Sequence, residues 1–128
     1  MNSISNHLSF YASTLGLRAK RNEMLASNIA NAATPHFKAR DIDFETEVRK
    51  QEKIGPMITN HDKHYALYSG SNYQEALYRQ PMSPSLDGNT VELAVEQIQF
   101  SENVVRYQTS LTFLNNRISG LLSAIKGE

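Results

Sequence analysis

Three short stretches of this chain carry side chains able to do chemistry. His61 and His64, in Asn-His-Asp-Lys-His, stand three residues apart, a spacing that aims both imidazoles at one metal ion if the stretch is helical. The surrounding residues read as a loop and offer no third ligand of obvious geometry, so the two are expected to be loop histidines. Asp41, Asp43 and Glu45 alternate along an extended stretch, which would line carboxylates along one face of a strand. General acid–base work needs a pocket that moves one carboxyl pKa away from the other, and the sequence offers no core deep enough to build one. Asp87-Gly88-Asn89 has the look of a cation loop but lacks the twelve-residue ligand pattern, so it reads as a turn. No phosphate loop, nucleophile elbow or zincin helix occurs. No catalytic residue, cofactor or metal site is expected.

The elements that would position any site are dominated by the two ends of the chain. Val104, Tyr107, Leu111, Leu114, Ile118, Leu121 and Ile125 follow one another at steps of three and four, the seam of a helix that wraps against another helix. Ile4, Leu8, Tyr11, Leu15, Ala19, Asn22, Leu25 and Ile29 repeat that spacing near the start. Asn22 either lies in the seam, fixing register at a cost in stability, or faces water after a slight rotation. The expected fold is mainly α: long N- and C-terminal helices pairing as a coiled-coil-like unit, with a small irregular, weakly β central excursion. In residue terms, 1–34 carry the N-terminal helix and 89–128 the C-terminal helix, together one helical domain, and 35–88 form the extended and looped segment with one weak hairpin.

Local chemistry sets the boundaries. Asn31 suits a left-handed C-cap, and Pro35 moves Thr34 out of the helical region. A tight turn is expected at 34–37, then an extended run over 37–44, then a polar helical turn or two from Glu45 to Lys53. Either Asn89 or Thr90 caps the second helix, with Glu92 completing a box-like start, or the first residues from Val91 to Val95 are extended and the start moves by about four positions. Gly127 supplies its stop. Val95, Ile98 and Val105 form a further row on this helix, with Phe113 and Leu122 off the main line. A two-stranded coil needs only one seam, so the surplus argues for additional neighbours. The ends are therefore expected to fray in isolation and to order when neighbours cover them.

Thirteen basic and thirteen acidic side chains balance to zero, which speaks against a wholesale grip on nucleic acid. Arg18, Lys20 and Arg21 are expected to be the solvated face of a helix. There is no cysteine. The N-terminus lacks the basic and apolar regions of a cleavable signal, and no apolar run reaches the ~20 residues of a membrane span. Composition alone reads as soluble and cytosolic.

Asn28-Ile-Ala-Asn31-Ala-Ala-Thr34-Pro35-His-Phe37-Lys38 resembles the N-terminal signature of bacterial flagellar rod and hook proteins. Lys38-Ala-Arg40-Asp41-Ile-Asp43-Phe44, Tyr78-Arg79-x-Pro81, Ser85-Leu-Asp87-Gly88-Asn89-Thr90-Val91 and Asn103-x-x-Arg106-Tyr107-Gln108 narrow the resemblance to the proximal-rod family of the basal body. The resemblance implies a structural subunit of the drive shaft, whose terminal helices pack into an inner tube. It implies as partners other rod subunits, the rod–ring adaptor and membrane ring at the rod base, and the flagellar type III export apparatus. It also implies export without a cleaved signal to the periplasm-spanning rod, which reverses the cytosolic reading. One residue departs from the family pattern: His36 stands where glycine is usual, and must enter the left-handed region or force a type I turn.

On this reading Leu8, Leu15, Leu25, Ile29, Val104, Tyr107, Leu111, Leu114, Ile118 and Leu121 are the packing residues. Asn28, Asn31, Thr34, Pro35, Phe37, Lys38, Asp87, Gly88 and Asn89 form the signature and its turns. Arg106 and Gln108 are either polar contacts between subunits or solvent-exposed. Two rival readings are a cytosolic helical adaptor or export chaperone, and a small hydrolase using Asp41, Asp43 or Glu45.

Overall fold

The computed structural model describes residues 2–53 and 76–127, with side chains from Leu8 to Arg49 and from Ala76 to Gly127. Five elements follow in order: α1 (Asn2–Ala30), β1 (Arg40–Ile42), α2 (Phe44–Lys53), β2 (Ala76–Tyr78) and α3 (Leu93–Lys126). The fold is mainly α, with α1 and α3 packed on one another. Asn28 meets Glu96 while Asn22 meets Asn103, so residue numbers rise along α3 as they fall along α1 and the pair is antiparallel. At 1.5 Å per residue α3 spans about 50 Å.

Side-chain chemistry explains where the elements stop. Pro35 cannot continue α1, and the Phe37 N–H bonds back to the Thr34 carbonyl at 3.3 Å, closing the expected tight turn at 34–37. His36 occupies its third position with φ 62°, so of the two conformations open to it the left-handed one is adopted. Gly127 ends α3 with φ 78° and donates its N–H to the Ser123 carbonyl, an αL cap.

Three local expectations are corrected. The extended run ends at Ile42 rather than Phe44, because Asp43 is an N-cap. Its carboxylate accepts the Thr46 N–H at 3.2 Å and the Thr46 hydroxyl at 2.7 Å, which starts α2 at Phe44. Asn31 does not take the left-handed C-cap conformation, since among the described non-glycine residues only His36 has a positive φ. Within the central segment β2 pairs antiparallel with β1, Arg40 opposite Tyr78, and so fastens its end to its beginning. Neither Asn89 nor Thr90 caps α3. Glu92 occupies that position without a side-chain cap bond, and Asn89 is used elsewhere.

The buried set is small and mixed. Leu17, Leu25, Ala39 and Ile42 are its apolar members; Asn28, Glu47, Asn89, Glu96 and Asn103 are its polar ones. All five of the latter must be hydrogen-bonded or paired to be tolerated. Polar bonding therefore shares the work of holding this junction with hydrophobic burial.

Candidate functional site

The signature residues converge where α1 ends. Asn89 sends its amide Nδ2 to the carbonyls of Asn31, Ala32 and Thr34 at 3.1, 2.9 and 3.0 Å. These carbonyls belong to the turn just past α1, where those of Asn31 and Thr34 also accept the Thr34 and Phe37 N–H groups. The Asn89 side-chain oxygen in turn accepts the Val91 N–H at 2.8 Å. One buried amide thus terminates the first helix and orients the approach to the second. Asn31 contributes by donating to the Ser27 carbonyl and accepting the Thr34 hydroxyl. The 85–90 turn lies against the 34–39 segment: His36 N–H donates to the Asp87 carbonyl, Thr90 N–H to the Phe37 carbonyl, and the Lys38 ammonium to the Gly88 carbonyl at 2.7 Å. Gly88 has φ 72°, a conformation that favours glycine, and a Cβ there would sit 3.1 Å from His36 Nδ1, so that the exposed imidazole would have to shift slightly. Asp87 accepts the Ser85 hydroxyl and the Asn89 N–H, which together hold its carboxyl below the ordinary carboxylate range.

A second set of contacts links both long helices to both strands. Asn28 pairs with the backbone of Arg40 through two bonds, Nδ2 to the carbonyl at 2.8 Å and N–H to Oδ1 at 3.1 Å. The same amide donates to Glu96 at 3.1 Å. Arg79, just past β2, bonds the other oxygen of Glu96 and lies 3.6 Å from Asp41. Arg21 on α1 grips both Asp41 oxygens at 2.8 Å and reaches Gln99 on α3. Glu96, Arg79, Asp41, Arg21 and Gln99 thus form a chain that leaves α3 and returns to it. Two-pronged charge-assisted bonds of this kind are the strong ones. They also explain how Glu96 can be 0% exposed: its charge is met from two sides.

The basic trio does not form a uniformly solvated face. Lys20 is exposed and pairs with Glu23 on the same helix, but Arg21 belongs to the chain of ion pairs and Arg18 lies over the Phe44 ring, 4.1 Å from its centroid. Asn22 faces α3, where its side-chain oxygen accepts from Asn103 at 2.8 Å. The three alternating acids are dispersed: Asp41 to the ion pairs, Asp43 to the α2 cap, Glu45 to Arg49 one turn on. His61 and His64 lie outside the described residues. Among those described, no cluster of His, Asp or Glu could hold a metal ion, and no helix is long and apolar enough to cross a membrane.

The packing residues divide by position. Leu25 is fully buried, while Leu8, Leu15 and Ile29 on α1 and Val104, Tyr107, Leu114 and Leu121 on α3 are half-buried. Leu111 and Ile118 remain exposed, as do Ile98, Val105, Phe113, Leu122 and Ile125. Arg106 is exposed and pairs with Glu102 on its own helix; Gln108 is exposed. Leu17, Arg21, Arg79, Glu96 and Asn103 were not anticipated as contact residues. A signal for two of them exists: Glu96, Asn103, Tyr107, Leu114 and Leu121 share one helical face, so a glutamate and an asparagine seven apart interrupt an apolar line.

No protein-family model matches the chain. It is 56% identical over all 128 residues to "Flagellar basal body rod protein FlgB" of Cereibacter sphaeroides, with both chains covered completely. A protein of the same name in Aeromonas hydrophila is 49% identical over 118 residues, covering 89% of this chain and 88% of that one. The one in Salmonella typhimurium is 42% identical over 128 residues, covering 94% and 93%. These names speak for a rod component and leave the adaptor or chaperone reading without support.

Proposed function

The chain belongs to the FlgB family of flagellar basal body rod proteins, and from that premise we propose how its structure serves a rod. It is a structural subunit of the flagellar basal body, and it works by packing rather than by catalysis. The α1–α3 pair is the unit that carries the torque. Leu8, Leu15, Leu25, Ile29, Val104, Tyr107, Leu111, Leu114, Ile118 and Leu121 close the pair and, on their open flanks, receive neighbouring rod subunits. The observation that supports this is the exposure of α3: Ile98, Phe113, Leu122 and Ile125 are between 51% and 77% exposed in a helix whose own partner is already in place. Apolar surface of that kind marks an interaction site.

At the helix ends the Asn89 knot and the Glu96 ion pairs fix how the central segment leaves the pair, so that torque meets a stiff joint. The finer assignments follow the family. The subunit sits in the proximal rod and contacts further rod subunits, the rod–ring adaptor and the membrane ring. It travels there through the flagellar type III exporter without a cleavable signal. Leu114→Asp tests the packing role by placing a charge on the half-buried face of α3. Expression and export are expected to be normal and the variant absent from purified basal bodies. Motile cells whose basal bodies contain the variant would refute the assignment.

A further inference from the structure

Two surfaces at opposite ends of the helix pair complement one another. Beside the end of α1, the residues Ser85 to Gly88 form a β-turn, closed by the Gly88 N–H on the Ser85 carbonyl at 3.2 Å. The turn is held from both sides. The Asp87 carbonyl accepts the His36 N–H, the Gly88 carbonyl accepts the Lys38 ammonium, and Asp87 Oδ1 accepts the Ser85 hydroxyl and the Asn89 N–H. Yet Leu86, at the corner of this turn, is entirely exposed, and Met82 nearly so. One exposed leucine on a loose loop would mean little. A turn fixed in place that presents a leucine to water is preorganised for a contact. Next to it stands the exposed Asp87 carboxylate, whose two hydrogen bonds both fall on one oxygen.

Toward the start of α1 and the end of α3 lies a groove of about 390 Å³ lined by Tyr11, Phe113, Asn116 and Arg117. It continues past Asn116 and Arg117 to Gly120 and Leu121, where the glycine adds no side chain to the wall. Phe113 is exposed in it, and so is Arg117 at its rim. No Asp or Glu occurs in residues 1–22 or 103–127 to meet that arginine. The turn is thus an apolar knob with an anion beside it, and the groove an apolar floor with a cation beside it. The two cannot meet within one chain. From Tyr11 to Ala30 α1 already spans about 30 Å at 1.5 Å per residue, and the turn lies beyond Ala30.

We propose that Leu86 of one copy seats in the Tyr11–Phe113 groove of a second copy, with Asp87 meeting Arg117 at the rim. The proposal rests on the reading of the chain as a rod subunit and names one contact by which its copies join. Because knob and groove are different surfaces, each copy uses its knob on one neighbour and its groove on another. Head-to-tail contacts of this kind build open helical series or rings rather than closed pairs. The exposed ion pair adds direction more than strength.

The chain has no cysteine, so introduced thiols report the contact. Basal bodies are prepared from cells whose only copy carries both Leu86→Cys and Phe113→Cys. A short bis-maleimide is expected to give a ladder at multiples of the chain mass, and neither single variant should link to itself. Leu86→Ser removes a side chain with no burial to lose. Its thermal midpoint as purified protein is expected to match the parent, while its recovery in basal bodies falls about tenfold or more. This variant decides the matter if the cysteine pair does not assemble. Three results would overturn the proposal: an assembled double variant without links, Leu86→Cys linked to itself or to a protein of another mass, or Leu86→Ser recovered at the parent's level. Absence of the parent protein itself from basal bodies would instead overturn the rod reading.

Discussion

The two halves of the helix pair are finished to different degrees. Toward the end of α1 and the start of α3, Leu17, Leu25, Asn28, Glu96 and Asn103 are almost wholly enclosed, and short polar bonds tie four elements together. In the other half, beyond Tyr107, no described side chain of α3 is fully buried, and Leu111, Phe113, Ile118, Leu122 and Ile125 are exposed. The charges divide in the same way: no Asp or Glu occurs in residues 1–22 or 103–127. One half is a self-sufficient joint with directional bonds. The other carries an exposed apolar surface, which on the proposed reading receives neighbouring rod subunits. A rod subunit that must hold its own shape and also associate with other rod components has reason to separate the two tasks.

The sharpest way to break this comparison is to disarm the joint. Arg79→Met leaves Glu96 buried with only the Asn28 amide to meet its charge. Removing one partner of a buried ion pair typically costs about 3–5 kcal/mol, and a loss of that size is expected in denaturant unfolding of the isolated chain. Replacing both Glu96 and Arg79 by leucine should recover most of the loss, because the uncompensated charge goes too. If the single variant were as stable as the parent, the joint would not be what holds this half together.

Matched truncations compare the halves directly. Leu25→Ala empties a site with 0% exposure and is expected to cost about 2–5 kcal/mol. Ile118→Ala removes a side chain already 39% exposed and is expected to cost under about 1 kcal/mol in the isolated chain. Recovery in basal bodies should reverse the ranking per unit of stability lost, with Ile118→Ala impairing assembly while barely moving the unfolding curve. Equal unfolding penalties would mean that the distal half is as complete as the joint.

The outline of the fold was legible because it depends on periodicity and breakers. Steps of three and four located both helices, Pro35 and Gly127 located their stops, and the 34–37 turn followed from Thr-Pro. The joint was less legible, because its partners are distant in sequence. Asn89 looked like a cap for the helix just after it, yet its amide reaches carbonyls 55 to 58 positions earlier. Arg21 looks like one of three surface cations until β1 brings Asp41 to it. Asp43 alternates as a strand residue does, because strand and N-cap use the same extended backbone. Local pattern cannot choose between them without knowing that Thr46 turns back.

Acidification gives the gentlest probe of the same division. Asp87 is held ionised first by the Ser85 hydroxyl and then by the Asn89 N–H, and Asp43 first by the Thr46 hydroxyl and then by the Thr46 N–H; both carboxyls lie below the ordinary value of 3.8. A carboxyl whose pKa is depressed in the folded chain contributes stability that is fully present above its unfolded value and disappears as the pH falls through the folded one. Asp87→Asn, which keeps an acceptor oxygen but not its charge, is therefore expected to be slightly less stable than the parent at neutral pH and indistinguishable once the parent's aspartate is protonated. Both carboxyls are fully exposed, so this effect should be the smallest of the three and should shrink further in salt. Amide hydrogen exchange shows where the effect falls: lowering the pH below about 4 should, after correction for intrinsic rates, loosen the Phe37 and Thr90 amides beside the joint before the α3 amides beyond Tyr107. The reverse order would place the acid-sensitive contacts in the half that has no carboxylates between residues 103 and 127, and the proposed division of labour would fail.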